Sequence, residues 1–153
     1  MDGLFPALTA LGGAAAFALF WSGIAWTIGQ AGGWGALARR FRTEAPPDPD
    51  AWASHVTSGS VGSARYNGVL RVWVQPDGLR LAVWAPFRPG HPPVLVPWNE
   101  ITAVERKRFL GLSRFEVTVG EPRVATLTLP EAVVEAMRDA LPHATAPADE
   151  PAP

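Results

Sequence analysis

The sequence contains no cysteine, which excludes disulfide bonds, thiolate nucleophiles and metal centres built on sulfur ligands. It also lacks an excess of basic residues, because 13 Lys and Arg stand against 14 Asp and Glu. Binding to a nucleic-acid backbone requires a clear positive excess. We therefore expect no nucleic acid among the partners of this chain.

Residue patterns typical of catalysis are missing as well. His55, His91 and His143 are far apart in sequence and do not form the HExxH spacing of a zinc site. There is no glycine-rich nucleotide-binding loop and no GxSxG nucleophile motif. His91 stands between Gly90 and Pro92, where a hydrogen bond that orders the loop is its expected role. We predict a protein that is not an enzyme and needs no metal ion or cofactor.

Charged residues are absent from a long N-terminal stretch. The segment from Leu4 to Ile28 is uncharged and largely apolar. A helix of about 25 residues is long enough to cross a hydrocarbon core of about 30 Å. Trp21 and Trp26 lie near its C-terminal end, where aromatic side chains mark a membrane interface. We assign a transmembrane helix to residues 1–30.

The charges on either side give this helix a direction. Asp2 precedes it, whereas Arg39, Arg40 and Arg42 follow it. The positive-inside rule places the arginines and everything after them in the cytoplasm. We predict a single-pass protein of the cell inner membrane with its N-terminus outside. A cleaved signal peptide is the alternative, but it requires a basic start and a shorter apolar run.

Residues 31–42 predict a second, amphipathic helix after a glycine-rich break. Its apolar and basic side chains fall on opposite sides of the helix. One interpretation places it in the membrane interface, with rings among the headgroups and guanidinium groups on anionic lipid phosphates. In the other, the rings cap the core of the following domain and the arginines only enforce topology. The predicted membrane-interface residues are Trp34, Leu37, Arg39, Arg40, Phe41 and Arg42.

The remainder of the chain predicts an α+β domain. Residues 43–63 are rich in Pro, Ser and Gly, which indicates a linker, with a short helical turn near Trp52. Residues 64–142 alternate with a period of two and predict about six antiparallel strands, then a helix from Pro130. We expect a small antiparallel sheet or open barrel, covered by that helix. Residues 143–153 form an Ala-, Pro- and acid-rich tail that we predict to be disordered.

Two further surfaces are candidates for contact with a protein partner or with lipid. The first consists of the loop aromatics Phe87 and Trp98, which can equally plug the end of a barrel. The second is the basic run of Arg106, Lys107 and Arg108, with Arg114 across the turn, which can equally be a solvated strand. Gly12 and Ala16, four residues apart in the membrane segment, also allow a homodimer.

Two strings in the sequence carry a family resemblance, namely GWGALARRFR and DGLRLAVWAPFRPGHPPVLVPWNEI. The chain resembles uncharacterised small bacterial single-pass membrane proteins that carry GWxxLAxxFR and GLxL…FxPxHPPxxxPWxxI strings. The matching residues are Gly33, Trp34, Leu37, Ala38, Phe41, Arg42, Gly78, Leu79, Leu81, Phe87, Pro89, His91, Pro92, Pro97, Trp98 and Ile101. The soluble part is similar to a pleckstrin-homology (PH) or GRAM domain.

The resemblance implies no activity. From the residues we expect a membrane-anchored adaptor or interaction module, and the alternative is an accessory subunit of a larger membrane complex.

Overall fold

The computed structural model describes residues 4–141 and confirms the α+β class. Two helices precede seven strands, and a third helix follows them. In chain order the elements are α1 (Leu4–Gly32), α2 (Trp34–Phe41), β1 (Trp52–Val61), β2 (Ala64–Gln75), β3 (Gly78–Val83), β4 (Val94–Pro97), β5 (Ile101–Phe109), β6 (Leu112–Val119), β7 (Ala125–Pro130) and α3 (Glu131–Arg138). Asp2 and the tail predicted over residues 143–153 lie outside the described residues.

Helix α1 is, among residues 4–141, the one helix long and apolar enough to cross a membrane. Its mean hydropathy reaches 1.6 over an 18-residue window, and none of that window is buried within the protein. Exposed apolar side chains such as Phe5, Leu11, Phe17 and Leu19 point to all sides of the helix. A helix on the surface of a soluble domain would instead have one polar side.

The seven strands form a single antiparallel sheet in the order β4-β3-β2-β1-β7-β6-β5, curled into a half-barrel. Alternate side chains of each strand point into the concave side, as the period of two requires. Helix α3 contacts β2, β6 and β7, and α2 contacts β4 and β7. Fully buried side chains of the core include Leu37, Leu70, Leu79, Leu81, Leu127, Leu129 and Met137.

The linker predicted over residues 43–63 is wrong for its second half. Residues 52–61 form β1, which pairs with β2 on one edge and with β7 on the other. Near Trp52 the structure has a single hydrogen-bonded turn rather than a helix, in which the Ala51 N–H donates to the Asp48 carbonyl oxygen at 3.2 Å, and Trp52 itself begins the strand, paired with Val74. Strand β1 lies in the centre of the sheet. With this unpredicted strand the sheet has seven strands rather than about six.

Candidate functional site

The apolar side of α2 is buried in the β-domain. Trp34 and Leu37 are 0% exposed, and Phe41 is 8% exposed. All three belong to the same hydrophobic core as the strands. The prediction that these three side chains enter the lipid headgroups is therefore corrected, since core packing already removes them from solvent. Of the predicted membrane-interface residues, Arg39, Arg40 and Arg42 remain exposed.

The C-terminal end of α1 docks against the same domain through glycine. Gly29 lies so close to the β3–β4 loop that an added Cβ would be 2.6 Å from the Gly90 carbonyl oxygen. Gly32 packs in the same way against Ala64, the first residue of β2. Gly33 then ends the helix with a φ of 107°, a left-handed conformation that glycine adopts without steric cost. The main chain therefore turns directly from α1 into α2.

The loop between β3 and β4 runs alongside α1. Trp21 on the helix donates a hydrogen bond from Nε1 to the Pro86 carbonyl oxygen at 2.9 Å. Its ring also meets the Phe87 ring edge-on at 5.5 Å between centroids. Trp84 lies next to Phe87 at 6.5 Å and is half exposed. Phe87, predicted as part of a partner surface, therefore packs against α1 of its own chain.

A buried aromatic cluster holds this loop against α2. Trp34 Nε1 donates to the Pro92 carbonyl oxygen at 2.9 Å, and the Trp34 ring packs against both Tyr66 and His91. His91 Nδ1 lies 3.1 Å from the Pro89 carbonyl oxygen, which can only accept, so this nitrogen carries the proton. His91 Nε2 is then an acceptor for the Tyr66 hydroxyl at 2.9 Å. The predicted loop-ordering role of His91 is confirmed.

Burial sets the protonation states of this cluster. It raises the pKa of Tyr66 to about 12, so the phenol keeps its proton and donates it to the bond with His91. Burial also lowers the pKa of His91, against the opposing effect of hydrogen bonds to the backbone of Pro89 and Phe87. The imidazole is therefore neutral at physiological pH.

A cationic cleft of about 510 Å³ opens where α1, the segment from α2 to Arg42, and the β3–β4 loop meet. The three segments contribute one or two basic or polar side chains each. Its lining includes Trp26, Gln30, Arg39, Arg42 and Arg88. The local sequence pattern indicates Arg39 and Arg42 but not Arg88, which stands 46 positions beyond Arg42 and gives no local signal of proximity.

The other predicted contact residues do not join this cleft. Trp98 Nε1 donates to the carbonyl oxygens of Gln75 and Pro76, both at 3.1 Å, so the ring closes the far end of β2. This is the plugging role that was the alternative to partner binding. Trp98 and Phe87 consequently lie at opposite ends of β3 and form no common surface.

The basic run on β5 is partly neutralised. Arg106 forms an ion pair with Glu131 at 3.1 Å, and Lys107 forms one with Glu105 at 2.9 Å. The hydrogen bond and charge of Glu105 raise the pKa of Lys107. Arg108 is exposed. Arg114 is half-buried on β6, where it stands opposite Lys107 in the register of the two strands. This arrangement fits a solvated strand at the edge of the sheet.

No family model matches the chain, and no curated protein gives a significant match to it.

Proposed function

We propose that this chain is a single-pass inner-membrane protein that holds a non-enzymatic β-domain at the cytoplasmic face, as an adaptor or interaction module. The observation that carries the proposal is the continuity of α1. Its first part is apolar and exposed on all sides, and its last part packs against the β-domain. The domain is thus attached to its anchor by packing as well as by the polypeptide chain.

The docking of α1 supports a retained anchor over a cleaved signal peptide. Trp21, Gly29 and Gly32 all contact the domain. Cleavage within or after this segment would remove the Trp21–Pro86 hydrogen bond and expose the surface that the glycines cover. A segment that is discarded would have no reason to fit the mature domain so closely.

The half-barrel supports a PH-like fold and an interaction role for the domain. Four strands form one meander, three strands form a second, and the helix that follows covers the core they share. Within residues 4–141 no group of three metal-ligating side chains comes together. What the domain offers to a partner is its surface, and the arginine-lined cleft is a charged concave part of that surface.

Membrane insertion and orientation can be tested together, because the chain has no cysteine of its own. We expect the full-length protein to resist carbonate extraction. Asp77→Cys, on the β2–β3 turn, should react with a membrane-impermeant maleimide only after the inner membrane is permeabilised. Asp2→Cys should react in intact cells whose outer membrane is open. Labelling of the residue-77 variant in intact cells would reverse the orientation, and release by carbonate would overturn the anchor.

One observation favours the accessory-subunit alternative. No heavy atom beyond the helix's own backbone lies within 4 Å of a Cβ built at Gly12 or Gly13, among the residues described. Small residues on an open side of a membrane helix permit close packing of another helix. Purification in a mild detergent followed by mass spectrometry distinguishes the two functions. A stoichiometric integral-membrane partner would favour the subunit, and its absence would favour the free-standing adaptor.

A further inference from the structure

The cleft described above concentrates positive charge that the described part of the protein neutralises only in part. Arg39 and Arg88 take part in no ion pair within the described part of the chain, and no carboxylate lines the cleft there. Arg42 lies 3.6 Å from Glu44, but both side chains are mostly exposed, at 61% and 88%. An exposed pair of this kind contributes little and is easily exchanged for another anion.

The neighbouring Arg40 shows the contrast. Its guanidinium group is 3.0 Å from the Glu100 carboxylate, which is itself mostly buried. Arg40 therefore already has an anionic partner and is not part of the cleft lining. Arg40 is thus paired outside the cleft, whereas Arg39 and Arg88 have no carboxylate partner within residues 4–141 and Arg42 has only the exposed Glu44.

The chemistry of the lining matches a phosphate group attached to an amphipathic molecule. Guanidinium groups bind phosphate oxygens through paired, charge-assisted hydrogen bonds. Gln30 adds an amide, and Trp26 adds an aromatic wall with a polar edge. The volume of about 510 Å³ falls within the range of about 300–1,000 Å³ typical of small-molecule sites.

The position of the cleft along α1 identifies the source of the phosphate, if the helix spans the membrane as proposed above. From Leu4 to Trp26 the helix rises about 34 Å, slightly more than the hydrocarbon core of about 30 Å. Trp26 is therefore at the level of the lipid headgroups, where aromatic belts occur. A cleft with Trp26 in its wall opens into the headgroup layer of the inner leaflet.

We propose that the cleft formed by Arg39, Arg42 and Arg88 is a specific site for the phosphate of an anionic phospholipid of the inner leaflet. The bound headgroup would bridge α2 to the β3–β4 loop, both of which already pack against α1. The site differs from the basic run on β5, which carries its own carboxylates. It deepens the proposed function by naming a ligand for the membrane face of the domain.

The test uses the full-length protein in detergent micelles containing equal amounts of phosphatidylglycerol and phosphatidylcholine. Native mass spectrometry should show one phosphatidylglycerol retained in preference to phosphatidylcholine. A variant with Arg39→Gln, Arg42→Gln and Arg88→Gln should lose that preference. Each basic residue near an anionic surface strengthens binding about fivefold, so removal of three should lower the affinity for phosphatidylglycerol about 100-fold. Arg39→Gln alone should weaken the binding of phosphatidylglycerol about fivefold, whereas Arg40→Gln alone should leave it unchanged.

A matched control carries Arg106→Gln, Lys107→Gln and Arg108→Gln, which removes the same number of charges from β5. It should retain phosphatidylglycerol as the unmodified protein does. Equal retention by the cleft variant and the unmodified protein would overturn the proposal, as would loss of retention in the β5 variant alone. Unchanged far-UV circular dichroism establishes that each variant is folded.

A second measurement separates lipid from soluble phosphate. Inorganic phosphate and glycerol phosphate at millimolar concentration should not displace the bound phospholipid. Displacement, with direct binding of inorganic phosphate at the same site, would show a site for a soluble anion and overturn the lipid assignment. Carbonate-resistant protein without any lipid preference would contradict this inference alone, whereas release by carbonate would contradict the proposed function as well.

Discussion

At the scale of single residues, the bond between Tyr66 and His91 ties β2 to the loop that reaches α1. Tyr66→Phe removes the hydroxyl but keeps the ring, and it leaves the buried His91 Nε2 without a donor. An unsatisfied buried polar group costs about 1–3 kcal/mol. We expect the free energy of unfolding to fall by that amount, measured by thermal unfolding in detergent.

A double variant isolates this bond from other effects of the substitution. In a His91→Leu background, Tyr66→Phe should cost clearly less than in the unmodified protein, because leucine has no acceptor for Tyr66→Phe to leave without a donor. Equal costs in the two backgrounds would show that the hydroxyl stabilises the protein through some other contact.

His91 also gives the protein a defined pH dependence. Burial lowers its pKa in the folded state, whereas in the unfolded chain a histidine titrates near its ordinary value of about 6.5. Below that pH the unfolded chain binds a proton that the folded protein does not. The free energy of unfolding should therefore fall as the pH drops from about 7.5 through 6.5, by at most about 1.4 kcal/mol per pH unit.

Comparison of variants assigns this pH dependence to its residue. His91→Gln should flatten the plot of thermal midpoint against pH in the acidic range, because it removes the buried imidazole. Parallel plots for His91→Gln and the unmodified protein would contradict the assignment.

At the scale of elements, glycines set how closely α1 approaches the domain. Gly29→Ala places a methyl group 2.6 Å from the Gly90 carbonyl oxygen and 2.9 Å from His91 Cε1, too close without displacement. Overpacking of this kind costs about 1–3 kcal/mol. We expect a lower thermal midpoint and faster proteolysis of the β3–β4 loop.

Gly12→Ala is the matched control for Gly29→Ala, since a Cβ at Gly12 meets no described atom beyond the helix's own backbone within 4 Å. Alanine favours a helix over glycine by about 1 kcal/mol, so this variant should be neutral or slightly more stable. If Gly29→Ala were equally neutral, α1 and the domain would not be packed together in solution.

The elements also show where sequence periodicity was sufficient and where it failed. Strands β2, β3 and β6 alternate large apolar residues with other types, so their positions were predicted. Strand β1 buries Thr57, Gly59 and Val61, of which two are small or polar. Gly59 is required there because a Cβ would lie 2.5 Å from the Thr128 carbonyl oxygen. A strand that packs through small side chains resembles a linker in composition.

Helix α2 shows a different limit. The spacing of Trp34, Leu37 and Phe41 correctly predicted a helix with one apolar side. It did not identify the medium that this side faces, because headgroup-level lipid and a protein core both accept aromatic and aliphatic side chains. The choice depends on the shape of the sheet, which local sequence does not contain.

At the scale of the whole molecule, the membrane segment and the fold class follow from local patterns, whereas the cleft does not. Its residues come from α1, from the end of α2 and from the β3–β4 loop. They meet because Gly29 lets α1 approach the β3–β4 loop at Gly90, and because Gly33 turns the chain from α1 into α2. Arg88 becomes part of a site only through that packing.

If α1 spans the membrane as proposed, the same packing sets the orientation of the domain on it. Trp84 lies beside Phe87, which contacts Trp21 of the anchor. We expect a nitroxide attached at Trp84→Cys to be more accessible to dissolved oxygen than to a water-soluble nickel chelate, as at a membrane interface. Asp77 is the control, because it lies in the β2–β3 turn, at the opposite end of β3 from Trp84, and the six residues of β3 extend about 20 Å. A nitroxide at Asp77→Cys should be more accessible to the chelate. If both nitroxides are more accessible to the chelate than to oxygen, the domain lies away from the bilayer, and the docking of α1 does not set its orientation.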